Sequence, residues 1–211
     1  HALFQEAVTY HRLGLAVVDE QHRFGVHQRL ALSSKGEAAD LLVMTATPIP
    51  RTLVLTAFGD MDVSKLNGKP AGRQPIKTVS LPFERMEDVV ERIGAALSDG
   101  KKAYWICPLV EETEETDATA AIDRYRDLQD RFGNRVALVH GRMSGPEKDA
   151  AMASFKSGQT RILVATTVVE VGVDVPDATI MVIEHAERFG LAQLHQLRGR
   201  IGRGSEASVC L

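Results

Sequence analysis

The sequence predicts an α/β chain in which parallel sheets are flanked by helices. Short apolar runs, such as Leu15–Val18, 41–44 and Ile162–Ala165, stop abruptly at small or acidic residues. Between them lie segments whose apolar residues recur at steps of three and four, the period of a helix with one buried face. The two patterns alternate along the chain, as they do in βαβ units.

Taken in order, Leu15–Val18 is a strand running into Asp19-Glu20, and 41–44 is a strand running into Thr45-Ala46-Thr47. Pro48 and Pro50 suit the first turn of a helix over 51–58, where a missing N–H has no partner to lose, and Gly59 suits its end. Residues 67–75, Asn-Gly-Lys-Pro-Ala-Gly-Arg-Gln-Pro, have the composition of a linker. Beyond it, 76–81 reads as a strand. Met86, Val89, Val90, Ile93, Ala96 and Leu97 then form one face of a helix.

Residues 103–109 read as a buried strand and 111–117 as an acidic, solvated loop. The next helix carries Ala118, Ala121, Ile122, Tyr125, Leu128 and Phe132 on one face and stops at Gly133-Asn134. Strand Val136–Val139 leads to Gly141, and Ser144-Gly-Pro-Glu147 is a capping box that opens a helix carrying Met152 and Phe155. Ile162–Ala165 and 180–183 are further strands, and 208–211 reads as a strand cut halfway. The expected organisation is the C-terminal part of one α/β domain over 1–66, a linker over 67–75, and most of a second domain over 76–211.

Hydrophobic residues make up 44% of the 211, enough for ordinary globular cores. No apolar run approaches the roughly 18–20 residues of a membrane span. Cys107 and Cys210 are far apart, each in an apolar run, and read as buried free thiols of a reducing, cytoplasmic compartment. The seven histidines show no zinc spacing. The net charge of −3 does not advertise nucleic acid, so any DNA contact would come from local basic residues.

Four segments carry candidate chemistry. Asp19 and Glu20 sit at the carboxyl end of a strand, where ligands of open parallel sheets bind. Such a pair suits a Mg²⁺ ligand beside a residue that orients or deprotonates water, and suits equally a helix cap or a surface pair. Thr45 and Thr47 follow the next strand, placed either to sense a phosphate or to cap a helix. The hydroxyls of Thr166 and Thr167, in a stretch with Glu170, Gly172 and Asp174, could hold DNA phosphates, with Gly172 allowing close backbone approach and Asp174 accepting from a ribose hydroxyl or fixing an arginine; a tight turn between strands is the other reading. The fourth runs from Gln193 through Gln196, Arg198, Gly199, Arg200, Gly202 and Arg203 to Gly204. Gln193, Gln196, Arg200 and Arg203 share one face only if a helix persists, and glycine at this density disfavours one. Close backbone approach with aimed guanidinium groups, suited to charge on a transferring phosphoryl group, is one alternative, and a basic surface helix end is the other.

These segments, in this order, resemble motifs II, III, V and VI of superfamily 2 helicases. Asp19-Glu-Gln-His-Arg-Phe-Gly-Val26 and Met44-Thr-Ala-Thr-Pro-Ile-Pro-Arg-Thr52 resemble the RecG family and its relatives, the transcription–repair coupling factors. His22, Gly59-Asp-Met-Asp62, Pro70-Ala-Gly-Arg-Gln-Pro-Ile76 and Thr166-Thr-Val-Val-Glu-Val-Gly-Val-Asp-Val-Pro176 favour the former. The resemblance implies a partial first RecA-like lobe and most of a second, in a monomeric motor that uses ATP and Mg²⁺ to drive branched double-stranded DNA, away from any membrane. It implies that Asp19 holds Mg²⁺, Glu20 handles the water, and Gln21 and His22 pass on the nucleotide state. Thr45 and Thr47 would couple that state to DNA, and Thr166 and Thr167 would touch the phosphate backbone. Gly172 and Asp174 would face the nucleotide cleft, Gln196 would support the last motif, and Arg200 or Arg203 would be the arginine finger.

The chain departs from that pattern in having no Gly-x-x-x-x-Gly-Lys-Ser/Thr stretch, the nest that grips β- and γ-phosphates. Both ends read as cuts through a longer protein. A translocase like the transcription–repair coupling factors is the nearest competing reading, and a non-catalytic nucleic-acid-binding or scaffolding protein the other, opposed by the retention of Asp19, Glu20, Arg200 and Arg203 together. On this reading the purified 211-residue chain hydrolyses ATP no faster than background. Steady turnover that Glu20→Gln abolishes would overturn it.

Overall fold

A strand that is one unbroken apolar run needs cover on both faces, and this chain supplies it with helices on each side of a parallel sheet. The computed structural model describes residues 5, 7–19, 35, 39–45, 62–66, 68, 73–108, 114–166 and 175–211. The helix expected over 51–58 lies outside them. The chain divides into two compact units, 1–66 and 67–211.

In the first unit β1 (Leu15–Val18) and β2 (Asp40–Val43) pair in parallel, with Val18 opposite Val43. Ala16 and Val18 are buried and Leu41 packs on them, while Leu15 and Val17 on the opposite face are more than half exposed. Lys35 Nζ donates to the carbonyls of Gln5 and Val8 at 2.6 and 2.5 Å.

The second unit runs β3 (Ile76–Thr78), α1 (Met86–Ser98), β4 (Lys102–Ile106), α2 (Glu114–Phe132), β5 (Val136–Val139), α3 (Gly145–Ser157), β6 (Ile162–Ala165), β7 (Ala178–Ile183), α4 (Leu191–Arg198) and β8 (Ser208–Cys210). Its six strands are parallel in the order β3-β8-β7-β4-β6-β5. Side chains alternate across this sheet with the two-residue period of a strand. Ala103, Trp105, Ile162, Val164, Ile180 and Val182 pack with Val89, Ile93 and Leu97 of α1 and Leu128 of α2. Tyr104, Ile106, Leu163, Ala165, Met181 and Ile183 pack with Phe155 of α3 and Leu197 of α4.

Most expected elements are present, with shifted ends. β3 and β4 are shorter than the apolar runs suggested, and β7 starts two residues earlier. The acidic stretch expected as a loop over 111–117 is helical from Glu114 onward. Carboxylates in a first turn interact favourably with the positive end of the helix dipole, so an acidic run can open a helix as readily as solvate a loop. The capping box of α3 is as expected. Glu147 Oε2 accepts from Ser144 N at 2.8 Å and from its hydroxyl at 2.7 Å, and these bonds hold the Glu147 carboxyl below its usual range. Gly158, at φ 81°, ends the helix in the left-handed conformation that glycine adopts without strain.

A charged cluster is built into the face shared by α1 and α2. Glu184, directly after β7 and 9% exposed, accepts from the Trp105 indole N–H and from Arg124 Nε at 2.5 Å. The Arg124 guanidinium, carried by α2, also lies 5.6 Å from the centre of the Trp105 ring. Burial, and then the Glu184 charge, push the neighbouring Cys107 thiol far up, so it stays protonated and inert. Arg124→Ala would leave Glu184 buried without its cation. We expect a loss of about 3 kcal/mol, the low end for breaking a buried pair. Urea unfolding followed by the fluorescence of Trp105, the single tryptophan, measures it in this unit. An unchanged midpoint would mean that the pair adds nothing net.

Candidate functional site

Ligands of open parallel sheets approach the carboxyl ends of the strands. In the first unit the edge is formed where Met44 N donates to Val18 O at 2.8 Å, just past the end of β1. Asp19 and Thr45 emerge there, both exposed, so the structure brings these two candidates to one edge. Glu20, Gln21, His22 and Thr47 lie outside the described residues.

In the second unit the ladder continues one residue past β4, β6 and β7. Cys107 N donates to Ala165 O at 2.8 Å, Thr166 N to Val139 O at 3.3 Å, and Glu184 N to Ile106 O at 2.9 Å. These bonds set the backbone at the carboxyl edge. Thr166 is buried there and its hydroxyl has no hydrogen-bond partner among the described residues, an arrangement that native proteins seldom leave unused. Thr167, Gly172 and Asp174 lie outside the described residues.

His140, the residue after β5, completes the edge beside Thr166. Its Nδ1 is likewise buried without a partner among the described residues. Burial first, then the nearby Lys148 and Arg142 charges, lower the imidazole below its ordinary range, so it is neutral near pH 7. Lys148 Nζ donates to Gly141 O at 2.8 Å, holding its positive charge over the start of α3. Two cations, Lys148 and Arg142, thus stand near His140 at this edge, with the Glu147 carboxylate beside them. Sequence reasoning passed over His140, Arg142 and Lys148. The available signal was His-Gly-Arg immediately after a strand, at the same end as Thr166.

The glycine-dense segment behaves as its composition suggested. α4 ends at Arg198 and carries Gln193 and the half-buried Gln196. Arg200 and Arg203 belong to the turn that follows, so the four residues do not share a helical face. Gly199 N donates to His195 O at 3.0 Å and Arg200 N to Leu197 O at 2.9 Å, which close the last turn. Ile201 is fully buried. Gly202 sits at φ 68°, where an added Cβ would meet Ile76 Cγ1 at 2.9 Å, and a Cβ on Gly204 would meet the Pro176 carbonyl at 3.0 Å. The turn is thus seated by close approach to the Ile76 side chain at Gly202 and to the Pro176 backbone at Gly204, and the positive φ with that contact favours glycine at Gly202. Arg203 Nε donates to Gly199 O at 3.4 Å.

A cavity of about 640 Å³ also opens among β3, β7, β8, α1 and α4. Phe83, His185, His195 and Arg198 line it, but neither Arg200 nor Arg203 does. His185, at φ 49°, stacks on Phe83 at 5.2 Å. Among the described residues no cluster of three or more His, Cys, Asp or Glu could hold a metal, and no helix is long and apolar enough to cross a membrane.

Residues 84–205 match the helicase conserved C-terminal domain. Over its whole length the chain is 54% identical to the ATP-dependent DNA helicase RecG of Escherichia coli K12 and 51% identical to that of Bacillus subtilis 168. It spans 31% of the length of each of these curated relatives. Among solved structures it is similar to RecG bound to a three-way DNA junction, with 45% identity and a TM-score of 0.75, covering 100% of this chain and 27% of that one. Saccharomyces cerevisiae Dbp5 bound to RNA and ADP BeF3 matches at a TM-score of 0.66 and 18% identity, covering 93% of this chain and 52% of that one, a likeness of fold alone. The fold class read from the sequence therefore stands, as does the resemblance to RecG. With more than half of its residues in the matched stretch, the chain belongs to the family of the helicase conserved C-terminal domain.

Proposed function

We propose that this chain is the central stretch of an ATP-driven motor that moves along double-stranded DNA and remodels branches in recombination and repair. Residues 1–66 supply the C-terminal part of a first RecA-like lobe, 67–75 the link, and 76–211 most of the second lobe. The observation that carries the reading is the turn after α4. It seats Arg200 and Arg203 on a backbone held by Gly202 and Gly204, in a lobe of the helicase family. Guanidinium groups in such a position stabilise the charge that develops on a transferring phosphoryl group, an effect of about 10³–10⁵ in rate.

The remaining roles follow the same reading. Asp19 is an exposed carboxylate at a strand's carboxyl end, a hard oxygen donor of the kind Mg²⁺ accepts alongside its waters. It would hold the metal, which neutralises phosphate charge when bound. Glu20 orients the attacking water, and Gln21 and His22 relay the nucleotide state. Thr45 and Thr47 couple that state to DNA. Gly172 and Asp174 face the nucleotide, and Gln196 supports the arginine turn from α4. Thr166 and Thr167, with the neutral His140 and the cations Arg142 and Lys148 near it, meet the phosphate backbone. Branched DNA as the substrate is supported by the RecG structure, which is bound to a three-way junction. The motor acts as a monomer in the cytoplasm.

In the full-length enzyme, Arg200→Ala and Arg203→Ala are expected to separate the finger from its neighbour. At least one should lower DNA-stimulated kcat by about 10³-fold or more while nucleotide affinity stays within a few-fold. Wild-type turnover in both would sink the reading.

The DNA edge has its own test. The His140 imidazole is expected to titrate below its ordinary value in the free 211-residue chain, and Lys148→Ala should move that midpoint upward. Bound phosphates favour the imidazolium, so saturating duplex DNA should also raise it. NMR titration of the histidine ring protons reads all three, and a midpoint indifferent to DNA would remove His140 from the DNA path.

A further inference from the structure

Arg73 belongs to the glycine- and proline-rich stretch before β3, and the roles assigned above leave it unused. Its side chain reaches across 126–129 residues of sequence to the arginine turn. Nε donates to Gly202 O at 3.1 Å and Nη2 donates to Gly199 O at 3.2 Å. These two carbonyls bracket Arg200 and Ile201. Gly199 O is also the acceptor for Arg203 Nε. One guanidinium therefore ties both ends of the segment that carries Arg200, and Arg203 follows that segment directly.

The geometry favours arginine over any other residue here. A guanidinium presents its donors in a rigid planar fork, so bonding two carbonyls fixes their separation and relative direction. A lysine ammonium is a single point on a flexible stem and cannot impose that relation. Arg73 is half-buried, so both bonds are partly shielded from competing water. Gly199 O lies at the end of α4, among carbonyls that have no partner within the helix. A second hold lies three residues on, where Ile76 fills the space that a Cβ on Gly202 would need. Residues 73–76 thus grip the turn at two carbonyls and one apolar contact.

We propose that Arg73 is a positioning residue for the finger: it holds the Gly199–Gly202 turn so that Arg200 and Arg203 are presented in the geometry phosphoryl transfer requires. This rests on the arginine-finger reading above. Arg73 touches no substrate; it acts through the backbone of the turn. A misplacement of about 1 Å at a catalytic group can cost about 100-fold in rate, and that sets the scale of the effect.

The test uses the full-length enzyme with Arg73→Ala, Arg73→Lys, Arg200→Ala, Arg203→Ala and the Arg73→Ala double variants. Two readouts are taken: steady-state ATP hydrolysis on branched DNA, and amide hydrogen exchange without nucleotide. In Arg73→Ala we expect kcat to fall about 10–100-fold with KM within about twofold. Exchange at residues 200–203 should quicken while α1 and α2 keep wild-type protection. Arg73→Lys, which keeps the charge and guards against a simple failure to fold, should recover less than half of the lost activity on a logarithmic scale. In the double variant with the finger, the Arg73 effect should largely vanish, because a misplaced finger and an absent one fail alike.

If the finger variants abolish turnover while Arg73→Ala retains it, the positioning role is overturned and the finger reading stands. Lowered kcat with exchange at 200–203 unchanged, full rescue by lysine, or additive losses in the double variant would also overturn it. Wild-type turnover in both Arg200→Ala and Arg203→Ala would remove the finger reading itself, and the inference with it.

Discussion

The second unit depends on the burial of β4 from both sides. All five residues of Lys102–Ile106 are buried, with Trp105 and Tyr104 on opposite faces. A strand in that position needs a paired neighbour on each edge, which β7 and β6 provide, and helices above and below. Parallel pairing forces each connection to travel back along the sheet, so the strands deliver their following residues to the same edge. His140, Thr166 and Glu184 are neighbours along that edge because the centre of the sheet must be dry. The chemistry is thus placed by a packing requirement set by the apolar strands, to which Glu184 adds by accepting from Trp105 and Arg124.

Glu184 shows what this placement costs. A carboxylate at the end of a central strand is largely cut off from water, and burying it unpaired would be severe. Arg124 and the Trp105 indole satisfy it, and α2 is thereby fixed over the sheet by a directional contact as well as an apolar one. At the opposite edge of the sheet, Lys102 is buried and pairs with Asp177 at 2.7 Å while donating to Lys156 O at 2.8 Å. Charged contacts therefore brace both ends of the central strands, and the carboxyl edge is a firm platform for whatever binds it.

What could be read from sequence divides along the range of the interaction concerned. Apolar period, the Ser144–Glu147 capping box and the breaking of α4 at Gly199 are set within a turn or two of chain, and local reasoning found them. The start of α2 at Glu114 was missed because an acidic run is compatible with a loop and with a helix N-terminus, and only tertiary packing chooses. Arg124 with Glu184, 60 residues apart, and Arg73 with the turn at Gly199 and Gly202 leave no local trace. Arg73 looked like linker composition because glycine and proline surround it. His140 was hidden differently: its neighbours at the edge come from other strands, so its lowered protonation is visible only once Lys148, Arg142 and the sheet are assembled. Of the candidate site residues, Asp19 with Thr45 and Arg200 with Arg203 are brought together within their own units. Glu20, Gln21, His22, Thr47, Thr167, Gly172 and Asp174 fall outside the described residues.

The arginine turn also explains why helix propensity is abandoned there. In a continued helix, Arg200 and Arg203 would share a face at a spacing of three, but their aim would follow the rotation of α4 and nothing else. Ending the helix at Arg198 detaches them from it. The buried Ile201 then anchors the segment in the core beneath α4, and Gly202 bends the backbone at φ 68° against Ile76. Each glycine there costs helical stability, about 1 kcal/mol relative to alanine, while Gly202 leaves room for the Ile76 side chain and Gly204 lets the backbone approach the Pro176 carbonyl. The turn consequently takes its position from Ile76 of β3 and from Pro176 on the approach to β7, which belong to the same sheet as the carboxyl edge. Guanidinium groups mounted this way are referenced to the sheet and not to a surface helix, which is the condition for a charge that must meet a ligand in a reproducible place.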